Sequence, residues 1–201
     1  MTTHTRWPGL PALAALCSVA IGGCGDSTTG PDVITVISVP FDFSEDASAV
    51  DAFRLIGVNG SVVVIGRSTG ETFSVSGFRR VQNCTESQAE SYIDDLQVDV
   101  VVAAAEILVQ TLQPVSTAPC SLLVDYELSV PERLFARIFN VNGSILVEDM
   151  DEGVDVTNVN GLVTLDDVED DVTVRLTNGN ILANAHISDD EAIDLLTVNG
   201  S

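Results

Sequence analysis

Residues 140–201 read NVNGSILVEDMDEGVDVT (140–157), NVNGLVTLDDVEDDVTVRLT (158–177), NGNILANAHISDDEAIDLLT (178–197) and VNGS (198–201). The dipeptide Asn-Gly returns at Asn142-Gly143, Asn160-Gly161, Asn178-Gly179 and Asn199-Gly200, so its glycines step by 18, 18 and 21 residues. A fixed period of this size marks a stacked repeat. Two residues after each glycine stand Ile145, Val163 and Ile181; four after stand Val147, Leu165 and Ala183. Eleven after stand Val154 and Val172, and thirteen after, Val156 and Val174; a three-residue insertion moves the next pair to Ile193 and Leu195. Alternate residues of a strand share a face, so each rung holds two short strands with an inward aliphatic set. A single rung cannot bury that set, whereas rungs stacked about 4.8 Å apart bury a continuous core. The pattern predicts a mainly β protein, a β-solenoid or single-stranded β-helix of about 18-residue rungs.

Glycine, and asparagine next best, accepts positive φ at a tight corner. Asparagines stacked at one corner can also hydrogen-bond along the axis. Stacking alone accounts for the spacing, and a glycan-binding role for these asparagines is the alternative. Val58-Asn59-Gly60-Ser61 repeats the phrase Val141-Asn142-Gly143-Ser144, which places the first rung at Asn59-Gly60. The other turn of each rung is acidic: Glu148, Asp149, Asp151 and Glu152, then Asp166, Asp167, Glu169, Asp170 and Asp171, then Asp189, Asp190 and Glu191. Stacked rungs align these groups in a ridge whose carboxylates repel by roughly 1 kcal/mol per pair in bulk water. A solvated acidic face is the plain reading. Ca²⁺ on Asp149, Asp151, Asp167, Asp170, Asp189 and Asp190 is the alternative, although neither an EF-hand loop nor a repeated GGxGxD is present. No other cofactor is indicated.

Between the two blocks, Arg67-Ser68-Thr69-Gly70 reads as a turn and Thr72 to Ser76 as a returning strand. Thr85 with Gln88 fits a capping box, and Ala89, Tyr92, Ile93 and Leu96 form one apolar stripe, which predicts a helix over 85–96. The β-branched run from Val98 predicts a strand, a turn near Ala104 and a second strand from Ile107 to Leu112. Leu122 to Val130 reads as a strand stopped by Pro131. Cys84 and Cys120 are most simply a disulfide in an exported chain, with two buried thiols as the alternative.

The order of these pieces carries a resemblance: Gly60-Ser61-Val62-Val63-Val64, a helix with Ala89-Glu90, paired strands, then Asp125-Tyr126-Glu127-Leu128-Ser129-Val130-Pro131 and the Asn-Gly repeats. Over roughly 51–201 the chain resembles the bacterial adhesin-type families of uncharacterised domains, the DUF4097 and DUF2807 kind. The resemblance implies a β-solenoid and a surface-adhesion role, with an unknown protein or glycan ligand. The cysteine pair and the stop at Val198-Asn199-Gly200-Ser201 depart from the family pattern. A last rung ending at Ser201 would leave strand edges unpaired, which implies self-association there.

The front end fixes the expected location. Arg6 precedes an apolar run from Leu10 to Gly23, too short to span a membrane as a helix and suited to a signal peptide over 1–23. The run ends in Ile21-Gly22-Gly23-Cys24, a lipobox-like phrase that marks Cys24 for lipidation; an ordinary signal peptide with Cys24 incidental is the alternative. Residues 24–46 read as a tether, within which Val33-Ile34-Thr35-Val36-Ile37 is a candidate edge strand, and 47–201 as the solenoid domain. The expected site is the bacterial cell envelope, lipid-anchored, at the outer membrane or cell surface where two membranes exist.

The chain has no lysine, and thirty acids against the seven arginines after residue 23 give the mature part a charge of about −23. Such a chain repels nucleic acid and anionic head groups. His186 is the only histidine after the leader, and no Ser-His-Asp order, metal spacing or phosphate loop is present. A carbohydrate-cleaving carboxylate pair is a remote alternative. The expectation is a non-enzymatic adhesion module, with a periplasmic accessory, sensory or structural lipoprotein as the alternative.

Overall fold

A computed structural model describes residues 35–115, 119–186 and 188–200. The signal segment, Cys24 and Ser201 lie outside the described residues.

The fold is mainly β. In chain order come β1 (Thr35–Asp46), β2 (Ala52–Ile56), β3 (Val62–Arg67) and β4 (Thr72–Cys84). Helix α1 (Glu86–Asp95) follows, then β5 (Gln97–Val102), β6 (Glu106–Leu112) and β7 (Ser121–Pro131). The repeat block supplies β8 (Phe135–Asn142), β9 (Ile145–Met150), β10 (Val154–Asn160), β11 (Val163–Glu169), β12 (Val172–Asn178), β13 (Ile181–His186) and β14 (Ile193–Asn199). From β8 onward the chain alternates between two seven-stranded sheets, ordered β1-β4-β7-β3-β9-β11-β13 and β14-β12-β10-β8-β2-β6-β5. Each rung therefore places one strand in each sheet, and rungs stack in parallel.

Register follows the repeat. Val154, Val172 and Ile193 pair in one sheet, and Ile145, Val163 and Ile181 in the other. The inward residues Val147, Leu165, Val156 and Val174 are buried. In β9 and β11, Asp149 and Asp167 take positive φ at 57° and 53°. At the second of these the register with β13 shifts. The residue after each aspartate, Met150 or Val168, turns back into the core. Short polar side chains tolerate this left-handed conformation better than most.

Three features differ from the sequence expectation. Thr35–Asp46, read as tether apart from the edge strand at Val33 to Ile37, pairs antiparallel with β4 along its length. Ile37, Val39, Phe41 and Phe43 alternate against the core, a pattern that Pro40 and the flanking acids obscure. The returning strand from Thr72 runs on to Cys84, which gives β1 its partner. And β2–β3, with Asn59-Gly60, is not the outermost rung. The β6–β7 rung lies outside it, and the chain then crosses over so that β8 and β9 stack on the other side of β2 and β3.

The outer end is closed by α1, which packs on β1 and β4 and buries Ala89 and Ile93. Thr85 and Gln88 form the capping box. Arg79 Nη1 donates to the Leu96 carbonyl at 2.7 Å, fixing the far end of the helix. Cys84 and Cys120 are disulfide-bonded, tying the start of the helix to the start of β7. Tyr126 spans the core here: its hydroxyl meets Thr111 across the sheets at 2.7 Å, and Phe41 packs edge-on against its ring.

Candidate functional site

The Asn-Gly corners form one line along the stack. Asn199 Nδ2 donates to Asn178 Oδ1, Asn178 to Asn160, Asn160 to Asn142, and Asn142 to Asn59, each at 2.7 Å. Asn59 Nδ2 closes the ladder on the Leu122 carbonyl at 3.2 Å. The glycines obey two constraints at once. Gly60, Gly143, Gly161 and Gly179 have φ between 123° and 141°. A β-carbon at Gly143, Gly161, Gly179 or Gly200 would also land on the carbonyl oxygen of the corner glycine one rung below.

A second, inner line lies two residues before each corner asparagine. Buried Asn140 Nδ2 donates to the Gly60 carbonyl at 3.2 Å, and buried Asn158 Nδ2 to the Gly143 carbonyl at 3.0 Å. Thr197 Oγ1 reaches the Gly179 carbonyl in the same way at 3.2 Å. These residues were not singled out in the sequence, although the phrase Asn-x-Asn-Gly at 140–143 and 158–161 carries the signal. At the equivalent place in β12 stands Leu176, which offers no donor to the rung below. Separately, the buried Asn158 Oδ1 has no hydrogen-bond partner.

Beside the lower corners runs an open polar groove of about 690 Å³, lined by Asn59, Ser61, Gln82, Gln113, Asp125, Asn142 and Ser144. Ser61 donates from N and Oγ to Asp125 Oδ1, each at 2.8 Å, and Arg80 pairs with the same carboxylate. These contacts hold the corner together, while the buried Gln113 Oε1 in the same lining has no hydrogen-bond partner.

On the opposite edge, Asp149, Asp151 and Asp167 line an acidic cleft of about 310 Å³ with Glu132, Glu169 and Arg67. Desolvation, then the neighbouring Asp151 carboxylate, then Asp149 and Glu169, push the Glu132 carboxyl above the usual carboxylate range. The other three proposed calcium ligands lie elsewhere. Asp170 Oδ1 accepts from the Asp171 N–H at 2.6 Å, and Asp189 and Asp190 sit exposed in the β13–β14 turn. The six aspartates therefore do not make one site. Among the described residues no three His, Cys, Asp or Glu side chains converge as a metal-ligand set. His186 is exposed, with Nδ1 3.1 Å from Asp167 Oδ1.

Each of the seven arginines of the described residues already has a partner. Arg54 and Arg137 meet Glu106, Arg67 meets Ser129, Arg79 the Leu96 carbonyl, Arg80 meets Asp125, Arg133 meets Glu71, and Arg175 lies between Asp155 and Asp194. They are scattered over both sheets, so the described surface presents no basic stripe of the kind nucleic acid requires. No described helix is long and apolar enough to cross a membrane.

No family model matches the chain, and no curated protein matches it. Among solved structures it is similar to a candidate cell adhesion protein of Clostridium sporogenes, at 13% identity and a TM-score of 0.42 over 76% of this chain and 74% of that one. It is also similar to a candidate adhesin of Parabacteroides distasonis, at 8% identity and a TM-score of 0.29 over 81% of this chain and 76% of that one.

Proposed function

We propose that this chain is a non-enzymatic cell-envelope lipoprotein, anchored through Cys24, whose β-solenoid serves adhesion to another surface or to matrix. The observation that carries the proposal is the polarity of the stack. The chain enters through β1, at the helix-capped end of its sheet, and β13 lies at the other end of that sheet. Six steps of about 4.8 Å separate the two, so a tether ending at β1 holds the far rung roughly 29 Å further out. The stacked corners form a stiff rod, and its paired arginines leave a strongly acidic flank suited to neutral or cationic partners. The Ile21-Gly22-Gly23-Cys24 phrase supports the anchor.

Two measurements test this. Metabolic labelling with a palmitate analogue should tag the native chain and leave Cys24→Ser untagged; an untagged native chain removes the anchor from the proposal. Protease added to intact cells should digest the domain. Protection until the outer envelope is opened would favour a periplasmic accessory role instead. Arrays of glycans and matrix proteins probed with the purified protein would then identify the ligand class.

A further inference from the structure

Asn-Gly is the dipeptide most prone to modify itself, because the glycine nitrogen reaches the asparagine's own side-chain carbonyl carbon with no β-carbon in the way. The glycine N–H gives up its proton to a solvent base, and its nitrogen bonds to Cγ. The Cγ–Nδ2 bond breaks, and that nitrogen takes a proton from water and leaves as ammonia. Water then opens the succinimide ring at either carbonyl, which yields aspartate or its β-linked isomer. The chain carries the pair at Asn59, Asn142, Asn160, Asn178 and Asn199.

At the first four of these corners the stack engages every reacting group. The N–H of Gly60, Gly143, Gly161 and Gly179 donates to the main-chain carbonyl of the corner asparagine one rung up, at 2.9, 2.9, 3.0 and 3.0 Å. The Oδ1 of Asn59, Asn142, Asn160 and Asn178 accepts from the amide of that same rung. Their Nδ2 groups donate to the rung below, or to the Leu122 carbonyl in the case of Asn59. Ring closure needs the side chain off the ladder and the glycine nitrogen off its carbonyl, so three hydrogen bonds must break at one corner. The product does not fit back. A carboxylate oxygen replaces Nδ2 and meets the Oδ1 of the rung below as one acceptor against another. The β-linked isomer adds a main-chain carbon at a corner with no room for it: a β-carbon on Gly161 would lie 2.1 Å from the Gly143 carbonyl oxygen.

We propose that Asn59, Asn142, Asn160 and Asn178 are latent self-modification sites, which the amide ladder holds unreactive and which an opened rung converts one way to aspartate or its isomer. The ladder therefore has a chemical role beside its mechanical one. Corner geometry demands glycine and the ladder demands asparagine, so each rung carries the pair most able to undo it, and only the closed stack keeps that pair intact. Conversion also adds a negative charge to a chain already at −22, which further disfavours closing the stack again. None of this depends on the adhesion reading, because it rests on the corners alone.

Peptide mapping by mass spectrometry tests this on the full chain, incubated at mildly alkaline pH with and without urea. Each hydrogen bond lowers the open population about fivefold, so three should slow conversion at the four corners by about a hundredfold relative to the urea-unfolded chain. Asn178→Ala removes the donor to Asn160 Oδ1 and should raise conversion at Asn160 by about fivefold while leaving Asn59 unchanged. Should that variant unfold, Asn160→Ala carries the same test at Asn142, again with Asn59 unchanged. After dilution from urea, the chains that refold should be depleted of converted corners. Equal rates in the folded and unfolded chain, a variant that raises every corner alike or none, or refolded protein as rich in converted corners as the unfolded pool would overturn the proposal.

Discussion

At the scale of single residues, the Asn-Gly corner joins an amide ladder through its asparagine to a positive φ at its glycine. The 18-residue step exposes Asn142, Asn160 and Asn178 because a stacked ladder demands one identical residue per rung. Asn140 and Asn158 stayed hidden because their line is broken: Gly57, Leu176 and Thr197 fill the other rungs, so the sequence shows no unbroken column. The two corner residues should fail differently. Asn160→Ala removes a donor and an acceptor from an exposed ladder and should cost about 1–2 kcal/mol. Gly161→Ala adds a left-handed penalty, with φ at 141°, to a collision with the Gly143 carbonyl, and should cost about 3 kcal/mol or more. Urea unfolding of the two variants checks the order, and equal losses would mean that stacking does not confine the glycine. Tyr126 gives a second test. Burial against a closed core pushes its phenol from 10.0 up to about 12, with the Thr111 hydrogen bond opposing. The folded pKa is the higher one, so the stabilisation is complete below about pH 10 and is lost as pH rises toward 12. The native chain should lose roughly 2–3 kcal/mol across that window, and Tyr126→Phe should not. The variant should instead start about 1 kcal/mol less stable from the lost hydrogen bond. Parallel alkaline transitions in the two proteins would rule this account out.

At the scale of elements, the repeat strands and the helix were legible and their spatial order was not. Period-two alternation gives β9 to β14, and the capping box with the stripe from Ala89 to Leu96 gives α1. Nothing local records that the chain returns from β4, α1 and β5 to build β6–β7 outside β2–β3. That order rests on pairings between distant segments, β4 with β7 and β2 with β6 and β8. The disulfide locks this detour, since Cys84 ends β4 and Cys120 precedes β7 at a separation of 36 residues. Removing it with Cys84→Ala and Cys120→Ala should cost about 4 kcal/mol by the loop-entropy relation. Oxidised protein should also protect the α1 amides from hydrogen exchange far better than the variant, which simple loss of global stability would not confine to the cap. Leu165 and Leu195 both face inward, but among the described residues Leu165 has a rung on either side and Leu195, 42% exposed, has one. Leu165→Ala should cost about 3 kcal/mol or more, within the usual range for a buried leucine. Leu195→Ala should cost less than half as much, in keeping with its exposure, and matching losses in urea unfolding would rule this account out.

At the scale of the whole molecule, two lines of like residues run up opposite edges of one stack. The asparagine line is satisfied rung by rung, because an amide donates at one end and accepts at the other. The acidic line cannot be satisfied this way, because a carboxylate only accepts. Stacking therefore gathers Asp149, Asp151, Asp167 and Glu169, members of the ridge the repeat predicts, around one cleft, and Glu132 joins them from the turn after β7, outside the repeat. The raised Glu132 carboxyl is the local sign of that crowding. An acid whose folded pKa lies above its unfolded value is least costly when protonated, so its ionised form opposes folding at neutral pH and ceases to do so as pH falls. Glu132→Gln should consequently raise the melting temperature at neutral pH, and the gain should fade through the carboxylate range. Molar sodium chloride should raise the native melting temperature for the same reason and shrink the benefit of the substitution. Calcium distinguishes a loosely screened ridge from a built site. With its six candidate aspartates divided between the cleft and the turns around Asp170 and Asp189, calcium should stabilise no more than magnesium at equal ionic strength. Differential scanning calorimetry in the two salts decides the matter. A calcium-specific rise that Glu132→Gln abolishes would mean that the cleft closes around the ion, and the acidic ridge would then be a ligand site and not merely the electrostatic consequence of stacking.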